Sequence, residues 1–267
     1  MNFVCPKCRG ALTVEAGVAK CSLGHTYDRA KAGYFNLLLA SSGATHGDNR
    51  EMIEARRAFL DTGAYFPLAK KVSELARKHL CGTRVLDIGC GEGYYTDIIE
   101  RELSDSGAVI SAFDISKDAV KYAARRNKSI ELAVASAYKM PTADEGFDLA
   151  VNMFSPLAKD EIYRTLGKDG IFILTVPGEN HLFGLKCATY KTPYKNELAD
   201  PHIDGFVLLS TERVSYTLEL KTSSEISSLF MMTPYAYRTP IEDKKRVLSL
   251  DELKTEADFV IFVYKKA

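Results

Sequence analysis

Seven stretches of this chain are apolar and short, as buried strands are: 85–88, 108–113, 130–135, 147–154, 168–176, 206–220 and 258–264. Before and between the earlier ones the apolar positions recur with a helical period. Residues 51–60 carry apolar side chains at 52, 53, 55, 59 and 60, and the pattern breaks at Thr62-Gly63. Residues 68–80 repeat it, with Pro67 placed to open the helix and Cys81-Gly82 to close it, and residues 116–128 form a third helix with Ser116 as its cap. Strands that alternate with helices predict an α/β, Rossmann-like fold around a doubly wound sheet. The expected order of its seven strands is 3-2-1-4-5-7-6.

At 267 residues the chain has room for one full-sized domain and a small appendage. Its 35 Lys and Arg balance its 35 Asp and Glu, so no global field draws it to nucleic acid. The distribution is uneven, because Lys7, Arg9, Lys20, Arg29, Lys31 and Arg50 face only Glu15, Asp28 and Asp48 in the first fifty positions. No window approaches the roughly 18 apolar residues of a membrane helix, and the N-terminus carries cysteines instead of a secretory signal, so a soluble cytoplasmic protein is expected. Six cysteines in a chain of this length make no disulfide scaffold.

The first strand, Val85-Leu-Asp-Ile88, runs into Gly89-Cys-Gly-Glu-Gly93 and then an amphipathic segment, the strand–turn–helix opening of a Rossmann-like nucleotide site. Gly89 and Gly91 let the backbone approach an adenosine group. The spacing is G-x-G-x-G instead of the dinucleotide G-x-G-x-x-G, and Glu92 sits where a phosphate would be repelled. An acid there, with Asp87 before the turn, suits a cationic and phosphate-free ligand, S-adenosylmethionine. Asp114 ends the second strand, where such folds bind the ribose hydroxyls. The bland alternative is a glycine turn with incidental acids.

Cys5-Pro-Lys-Cys8 and Cys21-Ser-Leu-Gly-His25 give C-x2-C followed by C-x3-H, which directs four donors to one tetrahedral Zn²⁺ and predicts a closed, structural site. A redox reading of Cys5 and Cys8 leaves Cys21 and His25 unexplained. The basic excess around these knuckles is either an RNA-facing patch or a solvated surface.

Other positions stand out by their place in the pattern. Tyr65 lies just ahead of the helix that precedes the glycine loop, and His181 lies just past the fifth strand. Ser136 occupies the position where many methyltransferases hold the adenine amino group with an aspartate. Asn152-Met-Phe-Ser-Pro156 occupies the catalytic edge and only loosely echoes the Asn/Asp-Pro-Pro-aromatic box of amino-group methyltransferases. Residues 182–240 interleave Tyr190, Lys191, Tyr194, Lys195, Tyr235, Tyr237 and Arg238, as stacking on an unpaired base requires, or as an ordinary substrate-side insertion shows.

Taken together, the chain resembles the RlmA-type 23S rRNA (guanine-N1)-methyltransferase family over nearly its full length. The matching stretches are Cys5-Pro-x-Cys8 with Cys21-x3-His25, Gly33-Tyr-x-Asn-Leu-Leu38, Gly47-Asp48 through Glu51-Met, Ala55-Arg-Arg-x-Phe-Leu-Asp61, Val85 to Tyr95, Pro177-Gly178 with His181-Leu182, and Met232-Thr-Pro234. The resemblance implies a class I methyltransferase domain over residues 51–267, a zinc-binding module over 1–36 and a linker over 37–50. It implies zinc ligands at Cys5, Cys8, Cys21 and His25, and cofactor contacts at Tyr65, Glu92, Gly93 and His181, alongside Asp87, Gly89, Gly91 and Asp114 from the motif. It further implies a 23S rRNA hairpin as substrate, RNA recognition by the zinc module and a homodimer with an RNA-binding cleft. One branch of the family is associated with macrolide-type antibiotic resistance.

Methyl transfer is an in-line displacement, so orientation is the main catalytic work. Guanine N1 is protonated at neutral pH, and the sequence does not single out the acceptor of that proton: the acids near the loop, His181 and the Asn152 edge are all conceivable, Asn152 only as an orienting group. Two competing readings are a small-molecule methyltransferase with a purely structural zinc module, and a zinc-dependent RNA-binding protein with a vestigial cofactor site.

Overall fold

The computed structural model describes residues 1–39 and 47–267, so half of the expected linker, residues 40–46, lies outside the described residues. In chain order the elements are β1 (Thr13–Glu15), β2 (Val18–Lys20), β3 (Thr26–Asp28), β4 (Phe35–Asn36), α1 (Arg50–Leu60), α2 (Phe66–His79), β5 (Arg84–Ile88), α3 (Tyr94–Leu103), β6 (Val109–Asp114), α4 (Lys117–Arg126), β7 (Glu131–Val134), β8 (Phe147–Met153), α5 (Lys159–Thr165), β9 (Leu166–Pro177), α6 (Phe183–Thr189), β10 (Phe206–Leu220), α7 (Ser223–Met231), α8 (Tyr235–Arg238), α9 (Ile241–Leu248) and β11 (Leu253–Lys266). The helix starts follow local chemistry. Asn49 Oδ1 accepts from the Met52 amide at 2.9 Å, Ser116 Oγ from that of Ala119 at 3.4 Å, and Pro67 opens α2.

The main sheet has eight strands in the order β10-β11-β9-β8-β5-β6-β7-β4. Seven of them reproduce the expected 3-2-1-4-5-7-6 arrangement. The eighth, β4, corrects the expected count: Phe35 and Asn36 pair in parallel with Ala133 and Val134. Two residues carry no period that a pattern can reveal, yet they cover an edge that would leave the β7 backbone groups unpaired. At the other edge β10 pairs, among the described residues, with β11 alone, and Val207, Leu208 and Leu209 are exposed.

Alternate residues of β5 feed opposite faces of the sheet. Val85 joins a core with the helices α1, α2, α3 and α7, whereas Leu86 and Ile88 join a second core with Phe3, Cys5, Leu12, Ala19 and Cys21. The N-terminal three-stranded sheet β1-β2-β3 and its cysteine knuckles are thus packed onto the sheet as part of its core. The Val4 amide donates to the Pro141 carbonyl at 2.8 Å, and Arg9 Nη2 donates to the Thr142 carbonyl at 2.8 Å.

Candidate functional site

Strand β5 lies between β6 and β8, which lead the chain in opposite directions across the sheet, and ligands bind beyond the carboxyl ends of such strands. A cavity of about 440 Å³ opens there, and Asp87, Gly89, Gly91, Glu92 and Asp114 line it. The glycine loop turns as the spacing requires, with φ of +73° at Gly89, +56° at Gly91 and +84° at Gly93. Gly89 is needed twice over, because a Cβ there would stand 2.4 Å from Ser155 Cβ. Ser155 is fixed in turn by its Oγ donating to the Ile88 carbonyl at 2.8 Å.

Three carboxylates surround the loop, each with a different partner. Asp114 Oδ2 accepts from the Gly91 amide at 3.0 Å and Oδ1 from the Ser116 amide at 2.7 Å, which fixes its orientation while lone pairs stay free. Asp87 is 1 % exposed; its Oδ2 accepts from the Thr96 hydroxyl at 2.6 Å and its Oδ1 has no partner among the described residues. Burial pushes its carboxyl up to about 7, with nearby Asp114 adding to the effect. Glu92 Oε2 accepts from Arg126 Nε at 3.0 Å, while its buried Oε1 has no partner among the described residues. Burial raises Glu92 as well, against the pull of Arg126. Two buried carboxylate oxygens without donors leave the cavity short of positive charge. A ligand with a sulfonium and an ammonium group answers that deficit, and a phosphate-bearing one does not.

Tyr65 and His181 lie one layer further in. Tyr65 Oη is 3.5 Å from His181 Nε2, and both rings pack on Phe259, which meets Phe154 at the cavity wall with centroids 5.6 Å apart. Neither Tyr65 nor His181 is among the residues lining the cavity. His181 Nδ1 accepts from the Asp258 amide at 3.3 Å, which assigns the proton to Nε2. Burial lowers His181 to about 3, which removes it from the groups able to accept the guanine N1 proton near neutrality. Gly93 caps α3 and forms no part of the cavity lining. Ser136 faces elsewhere, into a small cavity with Pro6, Arg9 and Lys139 between the N-terminal module and the sheet.

The pattern of acids and glycines does not reveal Asp48 and Arg56, which line the cavity and pair with each other. The signal that finds them is the set of family stretches, since Gly47-Asp48, Arg56, Met232 and Pro234 all converge on this one cavity from distant parts of the chain.

At the catalytic edge Asn152 is fully buried and holds a turn. Its Oδ1 accepts from the Ser155 amide at 3.1 Å and its Nδ2 donates to the Pro156 carbonyl at 3.2 Å. Phe154 between them adopts φ +62° and is 42 % exposed. A bulky residue held in the left-handed region marks a constrained turn.

The interleaved residues 182–240 are partly consumed by packing on each other. Tyr190 and Tyr194 stack with centroids 5.8 Å apart, and the buried Lys186 Nζ lies 4.3 Å from the Tyr194 ring centre. Tyr194 and Tyr237 remain exposed.

The donor atoms of Cys5, Cys8, Cys21 and His25 all lie within 4.8 Å of one another. Cys8 Sγ and Cys21 Sγ are 3.6 Å apart, and His25 Nδ1 is 3.5 Å from Cys5 Sγ and 3.4 Å from Cys21 Sγ. Tetrahedral Zn²⁺ with ordinary bond lengths requires edges of about 3.8 Å between sulfurs and about 3.5 Å from sulfur to nitrogen, so the four donors fit the metal. Lys7, Lys20 and Lys31 of this module are exposed and make no ion pair among the described residues.

Comparison with known proteins agrees with both centres. Residues 3–42 match the zinc-ribbon family described as "RlmA, N-terminal", and residues 80–223 match "Methyltransferase domain". A Streptomyces fradiae protein named 23S rRNA (guanine(748)-N(1))-methyltransferase is 30 % identical over 255 residues, covering 92 % of this chain and 90 % of its own. A Bacillus subtilis (strain 168) protein, provisionally named for guanine-N1 methylation of 23S rRNA, is 30 % identical over 273 residues, covering 98 % of this chain and 94 % of its own. The crystal structure of MccD protein superposes with a TM-score of 0.46 at 18 % identity, covering 75 % of this chain and 98 % of that one. A zinc ribbon and a methyltransferase domain on one chain, with relatives alike over almost their whole length, place this chain in the RlmA-type 23S rRNA (guanine-N1)-methyltransferase family.

Proposed function

We propose that this protein methylates N1 of a guanine in a 23S rRNA hairpin, in the cytoplasm, with S-adenosylmethionine as methyl donor and a structural zinc in its N-terminal module. The observation that carries the reading is the pair of unpartnered, buried carboxylate oxygens on Asp87 and Glu92 at the glycine loop, on a chain that also bears the four-donor knuckle. When bound, the cofactor supplies an electrophilic methyl group. Asp87, Glu92 and Asp114 supply the negative and hydrogen-bonding complement, and Gly89, Gly91 and Gly93 shape the backbone around it. Tyr65 and His181 support the wall through Phe259 and Phe154. Cys5, Cys8, Cys21 and His25 would hold the zinc. The work left to the protein is alignment, since an in-line displacement gains most from fixed geometry.

The exposed lysines on the zinc module support a role for it in gripping RNA, and the open β10 edge with Val207, Leu208 and Leu209 supports a second copy of the chain as partner. We take 1–36, 37–50 and 51–267 as the working division of the chain, with β4 at residues 35–36 pairing into the main sheet. A second reading, a small-molecule methyltransferase whose zinc module is only architectural, draws support from the core that Cys5 and Cys21 share with Leu86 and Ile88. Incubation with methyl-labelled cofactor and unmodified 23S rRNA separates the two. Label in the RNA is expected, and an RNA that stays unlabelled while the protein binds cofactor overturns the first reading.

A further inference from the structure

Beside the cofactor cavity lies a second one of about 300 Å³, and Phe154 and Ser155 line both. Leu157, Leu174, Val176 and Ile203 give it apolar walls, and its one carboxylate is Asp200. Asp200 Oδ1 accepts from the His202 amide at 2.8 Å, and its other oxygen makes no bond among the described residues. The other titratable group at this cavity, His202, is engaged by Asp204 at 3.0 Å, and Asp204 is in turn paired with Lys159 at 2.9 Å.

The segment that carries Asp200 has no regular secondary structure over residues 190–203, yet it is tied down at several points. Asn196 Nδ2 donates to the Gly178 carbonyl at 2.8 Å, Lys186 Nζ donates to Asn196 Oδ1 at 2.6 Å, and Tyr264 Oη donates to the Pro201 carbonyl at 2.9 Å. Irregular backbone held by buried groups at the ligand end of a sheet is where binding and catalytic residues concentrate. The acids at the glycine loop, Asp87, Glu92 and Asp114, line the cofactor cavity, where they complement the methyl donor, and none of them lines this second one.

On the basis of the guanine-N1 reading, we propose that this second cavity receives the target guanine, and that Asp200 reads its N1–H and N2–H edge and takes the N1 proton. The Watson–Crick edge of guanine sets two donors side by side, which the two oxygens of one carboxylate match. Phe154, held in place by Asn152 and partly exposed between the two cavities, offers a face on which an extruded base stacks. The N1 lone pair, freed as its proton passes to Asp200, forms the bond to the methyl carbon. The carbon–sulfur bond breaks with its electron pair remaining on sulfur, leaving a neutral thioether. Asp200 is exposed, so its proton leaves to bulk water.

The test is single-turnover methyl transfer from labelled cofactor to unmodified 23S rRNA by the full chain. Asp200→Asn keeps the acceptor for the His202 amide and is expected to lower the rate at least 100-fold, the loss typical of a missing general base. Cofactor and rRNA affinities should stay within about twofold, Asp200→Glu should recover part of the rate, and Glu197→Gln on the same segment should match the parent protein. An Asp200→Asn protein that keeps a fifth of the parent rate overturns the assignment of Asp200 alone. A parent protein that transfers no label to rRNA overturns the guanine-N1 reading and this proposal with it.

Discussion

Asp87 ties stability, charge and cofactor together, and replacing it with asparagine separates them. The carboxyl is fully buried and its ordinary value of 3.8 is raised to about 7. The folded chain therefore binds a proton that the unfolded chain has already released between those limits, and stability falls as pH rises from about 4 to about 7. At about 1.36 kcal/mol per pH unit, the loss is of order 4 kcal/mol once the group is ionised. Asp87→Asn removes that loss and keeps an acceptor for the Thr96 hydroxyl, but buries an amide donor at a cost of about 1–2 kcal/mol. The variant is expected to be about 0–1 kcal/mol less stable than the parent at pH 4.5, where about 1 kcal/mol of the parent's loss has already been incurred. At pH 8 it should be about 2 kcal/mol more stable, or about 4 °C in melting temperature for a chain of this size. Urea and thermal unfolding of both proteins without cofactor at the two pH values measure this, and titrating groups not coupled to Asp87 cancel in the difference. Calorimetry at pH 8 supplies the second arm, in which the variant should bind S-adenosylmethionine at least tenfold more weakly. Equal destabilisation at both pH values would refute the argument that the parent carries a strained, ligand-seeking charge.

Other expectations follow from single contacts. Gly89→Ala sets a Cβ 2.4 Å from Ser155 Cβ at φ +73°, and should cost about 1–3 kcal/mol and at least tenfold in cofactor affinity; an unchanged melting temperature speaks against the close approach. Removing zinc by chelation, or replacing Cys8 with serine, should lower the melting temperature of the whole chain by about 10 °C, because Cys5 and Cys21 share a core with Leu86 and Ile88. Metal analysis finding well under one zinc per chain in the native protein contradicts the site. Nitrogen-detected NMR of His181 should show a neutral ring protonated at Nε2 that does not titrate between pH 8 and 5, since its value lies near 3; a transition at pH 6–7 contradicts its burial against Phe259. Charge reversal of Lys7, Lys20 and Lys31 together should weaken rRNA binding at least tenfold at about 0.1 M salt and leave cofactor affinity unchanged, whereas an unchanged rRNA affinity favours the purely architectural module.

The sheet was readable because its strands are either continuous apolar runs or end at punctuated positions: Val85–Ile88 stops at Gly89, and the strand ending at Asp114 passes through Ile115 to the Ser116 cap. What stayed hidden had no local signal. Strand β4 is two residues long, and its pairing with Ala133 depends on the fold of the zinc module. That the module supplies core to the sheet was likewise invisible, since Phe3, Leu12 and Ala19 have no period of their own. The glycines and acids of the cofactor loop were legible because their chemistry lies in adjacent positions. Arg56 and Asp48 were not, because they reach the cavity from α1 and the approach to it. Ser136 shows the converse: a serine where many methyltransferases carry an aspartate, matching by order along the chain, it lines a different cavity.

The central claim is methylation of guanine N1 in 23S rRNA, and N1 methylation blocks the Watson–Crick edge. The most direct test is reverse transcription of 23S rRNA from cells with and without this gene, followed by mass analysis of the nucleoside at any stop. A gene-dependent stop at one guanine of a hairpin, with 1-methylguanosine in the fragment that spans it, is the expected result. Identical stops in both strains, or a methyl group on another atom of the base, contradicts the account.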